Sequence, residues 1–104
     1  IKCFLYISKE EQKARLEERL ADPDKQWKFN LGDLEERKLW PEYMRAYESA
    51  LSATSTDYAP WYVIPADSNT NRNIRVSSIL VQTLQAQKMR YPKPKENLEG
   101  VVVE

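Results

Sequence analysis

Two short apolar runs limit what this chain can fold into. Cys3-Phe4-Leu5-Tyr6-Ile7 and Trp61-Tyr62-Val63-Ile64 are continuous rather than alternating. Unbroken runs of β-formers of this length predict strands covered on both faces, over 2–7 and 61–64. The long stretch between them has helical periodicity. Two such strands joined by a helical crossover make a parallel pair, so the fold class is α/β. Two strands are too few to be stable alone. The pattern therefore predicts the C-terminal part of a larger parallel sheet, with further strands supplied by sequence outside these 104 residues.

The crossover has its own punctuation. Ser8 with Glu11 three residues on reads as a capping box, which starts a helix that runs to about Ala21. Asp22-Pro23 ends it, because a residue before proline avoids helical backbone. The excursion Asp22 to Asn30 is polar, with Trp27 and Phe29 within it. Asn30 is placed to cap the next helix, with Asp33 at its N3 position and Phe29 and Leu34 forming a hydrophobic staple. That helix spans about 31 to 53, and Leu34, Trp40, Tyr43, Met44, Tyr47 and Leu51 form its apolar stripe. Pro41 predicts a break near Leu39-Trp40, giving pieces of about 31–39 and 41–53. After the second strand, Pro65 to Asn69 turns the chain into a last helix over about 70–88, with Ile74, Ile79, Leu80 and Leu84 inward. Tyr91-Pro92-Lys93-Pro94 stops it. Residues 92–104 read as an extended tail, in which Val101-Val102-Val103 could pair with a partner. The order is β-α-lid-α-β-α, with three to four helices.

Composition removes several chemistries. There is no histidine, which excludes Ser-His and Cys-His pairs and His metal sites. The single cysteine, Cys3, excludes an intrachain disulfide and reads as a small buried hydrophobe. Sixteen basic residues balance sixteen acidic ones, so net charge gives no pull toward nucleic acid or membrane. No apolar run approaches the roughly 20 residues of a membrane span. A cytoplasmic setting is expected. Any electrostatic function must come from local clustering.

The clustering is around the excursion. Arg15, Arg19, Lys25, Lys28, Arg37 and Lys38 lie in or beside it. Such a cluster suits a polyanion, because arginine binds phosphate oxygens in a fork and lysine offers a point charge. Each has a plainer reading. Arg15 and Arg19 sit at helical spacing from Glu11, Glu17 and Glu18, and Lys25 and Lys38 read as surface charges. Trp27 either packs the excursion onto the body or stacks on a base, while Trp40, Tyr43 and Tyr47 read as core. Asp67, Asn71 and Arg72 follow the carboxyl end of the second strand, which in open α/β sheets faces the ligand crevice. Their plainer reading is helix capping by Asp67 or Ser68 and a solvated Arg72.

Taken in order, Ile7-Ser8-Lys9-Glu10-Glu11-Gln12, Arg15, Arg19, Asp22-Pro23 and Trp27-Lys28-Phe29 resemble the family-2 polyphosphate kinases. So do Asp33-Leu34, Glu36-Arg37, Trp40, Tyr43, Thr54-Ser55-Thr56, Ala59 to Asp67 and Asn71-Arg72-Asn73. The resemblance covers residues 1 to about 92. It implies a P-loop kinase-like domain over 1–91, with a lid at about 22–37. It also implies phosphoryl transfer between inorganic polyphosphate and a nucleotide of the ADP or AMP type, with Mg²⁺. The residues it points to for polyphosphate and nucleotide binding are Arg15, Arg19, Lys28, Arg37, Asp67 and Arg72. The family's Walker A and B elements are missing: only Gly32 and Gly100 are present, and no G-x-x-x-x-G-K pattern occurs. The expectation is that these residues alone do not catalyse, that Mg²⁺ is held mainly by residues outside them, that the isolated segment self-associates through its exposed sheet edge, and that the protein is a homo-oligomer. The competing readings are a non-catalytic helical module that binds polyphosphate or a protein, and a thymidylate-kinase relative with a similar half.

Overall fold

A computed structural model describes all residues from Ile1 to Glu104. Strand β1 (Lys2–Tyr6) leads into helix α1 (Lys9–Ala21), then a 3-10 turn at Gln26–Lys28. Helices α2 (Gly32–Lys38) and α3 (Trp40–Thr54) follow, then β2 (Trp61–Pro65) and α4 (Asn69–Ala86). The strands pair in parallel, with Phe4 beside Val63 and Leu5 beside Ile64. The fold is thus α/β with a two-stranded parallel sheet and four α-helices, as the apolar runs require.

Local chemistry sets the boundaries. Ser8 Oγ accepts from the Glu11 N–H at 3.1 Å, which caps α1. The other half of the expected capping box is absent. Glu11 turns to Arg15, and the Ser8 N–H goes to Asp67 instead. Pro41 stands in the first turn of α3, where its missing N–H costs nothing, and the helix breaks at Leu39 as its position demands. Asn30 does not become the N-cap of α2, a role that falls to Leu31. Asn30 still serves the helix start, since its Oδ1 accepts from the Gly32 N–H at 2.8 Å. Ser68 caps α4 by accepting from the Asn71 N–H.

The Thr54-Ser55 pair has a structural role. Thr54 Oγ1 accepts from Trp61 Nε1 at 2.8 Å, Ser55 Oγ accepts from the Trp61 N–H, and Lys2 Nζ donates to the Thr54 carbonyl at 2.7 Å. Lys2 also lies over the Trp61 ring. A cation at the end of α3 meets the negative end of the helix dipole. Together these contacts fix the amino end of both strands to the end of α3.

The two edges of the sheet differ. The Ala66 N–H donates to the Tyr6 carbonyl at 2.8 Å. Backbone groups alternate sides along a strand, so Trp61, Val63 and Pro65 face outward from β2. Trp61 is taken by Ser55, and proline has no N–H. Val63 alone offers a donor there. Cys3 and Leu5 face outward from β1 by the same alternation, so any further strand adds beside β1.

The strands read as covered on both faces within a larger sheet, and in these 104 residues by themselves Ile64 is the one buried strand residue, while Leu5, Tyr6 and Val63 are exposed. Only Leu16 and Ala66 join Ile64 in the core. The helices cannot enclose so narrow a sheet, and α4 leaves Ile74, Leu80 and Leu84 exposed as well. Residues Val101 to Val103 are exposed and unpaired, with no strand in the tail.

Candidate functional site

A groove of about 530 Å³ runs between β1, α1 and the α2–α3 pair. One side is aromatic. Phe4 packs on Tyr47 with ring centroids 4.6 Å apart, and Tyr43 stacks beside Tyr47. These residues and Trp40 were expected in the core. Tyr43 and Tyr47 are instead exposed along the groove, because nothing covers the outer face of α3 there. The other side is charged and carries Arg15, Arg19, Arg37, Asp33 and Glu36.

The three arginines differ in what they touch. Arg15 Nε is 2.8 Å from Glu11 Oε1, and its Nη2 donates to the carbonyls of Ala66 and Asp67. Its charge is spent inside the protein. Arg37 Nη1 donates to Gln12 Oε1 at 2.6 Å, and its guanidinium lies 5.9 Å from the centre of the Trp40 ring. Both partners are neutral. They hold the group in place without cancelling its charge, which is what an anion site needs. Arg19 forms no ion pair or side-chain hydrogen bond and is exposed. Arg19 and Arg37 are therefore the available cations of this groove.

The remaining basic candidates separate in the same way. Lys25 pairs with Glu18 at 2.7 Å and with Asp22 at 3.3 Å. These contacts lower the Glu18 carboxyl and raise the Lys25 ammonium from their ordinary values. They fasten the start of the excursion to α1. Lys38 pairs with Glu35. Lys28 has no acidic partner, but its ammonium sits over the ring of exposed Trp27, outside the groove. Trp27 does not pack onto the body, since 78% of it is exposed. Arg72 donates to Asn73 Oδ1 in the first turn of α4 and not in the groove.

The acids of the groove do not make a metal centre. Asp33 stands in the first turn of α2, where the helix dipole favours it. Glu36 accepts from the Tyr43 hydroxyl, which raises that phenol above its ordinary value. Two carboxylates, one already engaged, fall short of a hard-cation site, and no group of three or more metal-type side chains occurs. These residues do not by themselves fit Mg²⁺.

Asp67 has a clear partner. Its Oδ1 accepts from the Ser8 N–H at 2.7 Å, and that bond holds its carboxyl below the ordinary value. A lowered carboxylate stabilises the fold above its unfolded pKa, and this stability is lost as pH falls through the folded one. Exchange of the Ser8 amide should therefore accelerate as pH drops below the ordinary carboxylate range, about 4. Base-corrected exchange rates that stay flat down to pH 3 would contradict the assignment.

Sequence reading missed the partners rather than the cations. Gln12 stands among the motif residues, but nothing local in the sequence shows that it reaches Arg37 across 25 positions. Nor does sequence spacing reveal that Ser8 meets Asp67.

The chain is similar to known proteins in sequence and in fold. Residues 1–92 match the family model described as Polyphosphate kinase 2. The whole chain is 57% identical to an AMP/ADP-polyphosphate phosphotransferase of Meiothermus ruber, covering 39% of that protein. Over 93 residues it is 46% identical to an ADP-polyphosphate phosphotransferase of Rhodopseudomonas palustris, covering 32% of it. A crystal structure of Polyphosphate Kinase 2 from Arthrobacter aurescens superposes with a TM-score of 0.90 at 44% identity, over 93% of this chain and 35% of that one. The chain thus spans about a third to two-fifths of the length of these relatives. No helix is long and apolar enough to cross a membrane.

Proposed function

This chain belongs to the polyphosphate kinase 2 family, and from that premise we propose that it is part of an enzyme moving a phosphoryl group between inorganic polyphosphate and a nucleoside mono- or diphosphate. The observation that carries the site assignment is the pair of arginines, Arg19 and Arg37, both without an acidic partner and both on one groove. In the forward direction the bond between the terminal and penultimate phosphates of polyphosphate breaks. The terminal phosphoryl forms a new bond to a phosphate oxygen of the nucleotide, and the polymer leaves one unit shorter. Such a transfer needs positioning and fixed positive charge more than covalent help, so the absence of histidine is no obstacle. Arg37, fixed by Gln12 and Trp40, and Arg19 supply charge along the polyphosphate track.

The segment from Asp22 to Arg37 acts as a lid in this reading. Lys28 stands on its outer surface, where it meets polyphosphate beyond the groove. The turn after β2, with Asp67 and Arg72, lies on the nucleotide side, because it follows the carboxyl end of a parallel strand. Mg²⁺ and the phosphate-cradling loop come from elsewhere in the whole protein, which works in the cytoplasm as a homo-oligomer. Residues 1–104 alone bind polyphosphate weakly and do not turn over.

The test is phosphoryl transfer by the whole protein, with polyphosphate as donor and ADP or AMP as acceptor, followed by ³¹P NMR. Growth of the nucleotide's new phosphate signal at the expense of polyphosphate is the expected result. Polyphosphate binding without transfer to any nucleoside mono- or diphosphate would instead support a non-catalytic module.

A further inference from the structure

At the carboxyl ends of β1 and β2, four residues close a ring of hydrogen bonds. The Ser8 N–H donates to Asp67 Oδ1 at 2.7 Å. Arg15 Nη2 donates to the Asp67 carbonyl at 2.8 Å and to the Ala66 carbonyl at 3.1 Å. Arg15 Nε donates to Glu11 Oε1 at 2.8 Å, and the Glu11 N–H donates back to Ser8 Oγ. The ring joins the head of α1 to the turn after β2, two segments more than fifty positions apart in the chain.

We propose that Arg15 and Asp67 are positioning residues that latch the 66–68 turn, and with it the first turn of α4, to the head of α1, so that this segment presents its backbone and Arg72 to the nucleotide. This rests on the reading that places a nucleotide at that turn. Neither residue binds phosphate itself. Arg15 has Nε and Nη2 committed to protein oxygens, and only its Nη1 end is uncommitted. The Asp67 side chain is used as a hydrogen-bond acceptor for one backbone N–H. Buried Ala66, next to Asp67, fixes where the turn leaves the sheet, while Asp67 itself is exposed. These polar contacts therefore add to the contact of α4 with β2 in placing the turn beyond Ala66.

The chemistry of the acceptor gives a sharp test. An amide oxygen still accepts from the Ser8 N–H, without the charge assistance of a carboxylate, so Asp67→Asn keeps a weakened latch and Asp67→Ala removes it. A residue that held a metal or needed its negative charge would lose function equally in both variants. In the whole protein, Asp67→Ala should raise the nucleotide KM about tenfold, the effect of one lost charge-assisted hydrogen bond. The polyphosphate KM should stay within about twofold, and Asp67→Asn should raise the nucleotide KM clearly less than Asp67→Ala does, since its acceptor oxygen remains while the charge assistance is lost. Hydrogen exchange over residues 66–72 should speed up in Asp67→Ala and Arg15→Gln, and much less in Asp67→Asn. If Asp67→Asn is as damaging as Asp67→Ala, or if polyphosphate KM is the constant that rises, the proposal is overturned. Absence of phosphotransfer in the parent protein would sink the functional reading alone. The exchange measurement still decides the latch, and unchanged exchange in Asp67→Ala and Arg15→Gln would overturn it.

Discussion

Replacing Arg37 by alanine in the whole protein should lower kcat/KM for polyphosphate by about thirty- to a hundredfold. A hydrogen bond to a charged group contributes roughly 1.5–3 kcal/mol, and each 1.4 kcal/mol is about a factor of ten. The upper part of that range applies because Gln12 and Trp40 already hold the guanidinium in place, so little ordering cost remains when phosphate arrives. Lysine should recover only part of the loss, since a point charge cannot copy a planar fork. Gln12→Ala should fall between, because it releases Arg37 without removing its charge. Helix α2 is short and has no buried residue, so the melting temperature should shift by only a few degrees in all three variants. Steady-state kinetics at varied polyphosphate, with a melt of each variant, separates the two effects. An unchanged kcat/KM for polyphosphate in Arg37→Ala would remove Arg37 from the site.

The second large effect concerns the 104 residues by themselves. Their accessible surface is 9114 Å², whereas a compact monomer of 12.2 kDa exposes roughly 6,000 Å². Their radius of gyration is 22.3 Å, against about 13 Å for a compact chain of this length. With only Leu16, Ile64 and Ala66 buried, apolar burial is too small to offset backbone ordering of about 1–2 kcal/mol per residue. The isolated segment should show no cooperative thermal transition. It should also self-associate through the open side of β1 and the exposed apolar face of α4. Circular dichroism melts and sedimentation velocity check both points. A sharp melt of a monodisperse monomer would show that the segment is stable without covering partners.

The elements were legible because their signals are local. Ser8 ahead of α1, Pro41 at the break between α2 and α3, and the apolar runs of β1 and β2 each act within a few residues. The tertiary consequences were not legible. The aromatic stripe of α3 has the period of a core face, yet Tyr43 and Tyr47 line an open groove, because periodicity marks a face without naming what covers it. The basic cluster was visible, but its members look alike in sequence. Contacts across the fold separate them: Glu11 and two carbonyls occupy Arg15, Glu18 holds Lys25, and neutral Gln12 holds Arg37. The 3-10 turn under Trp27 has no capping signal and was missed within the loop.

Calorimetric binding of polyphosphate to the whole protein, compared across Arg19→Ala, Arg37→Ala and their double variant at two salt concentrations, addresses the groove assignment directly. Each substitution should weaken binding by about tenfold or more at low salt, as expected for a charge-assisted phosphate contact. The double variant should also lose part of the salt dependence, because fewer counterions are exchanged when two cations are gone. Affinity and salt dependence that match the parent protein in the double variant would contradict the account, and would place polyphosphate outside the groove that Arg19 and Arg37 share.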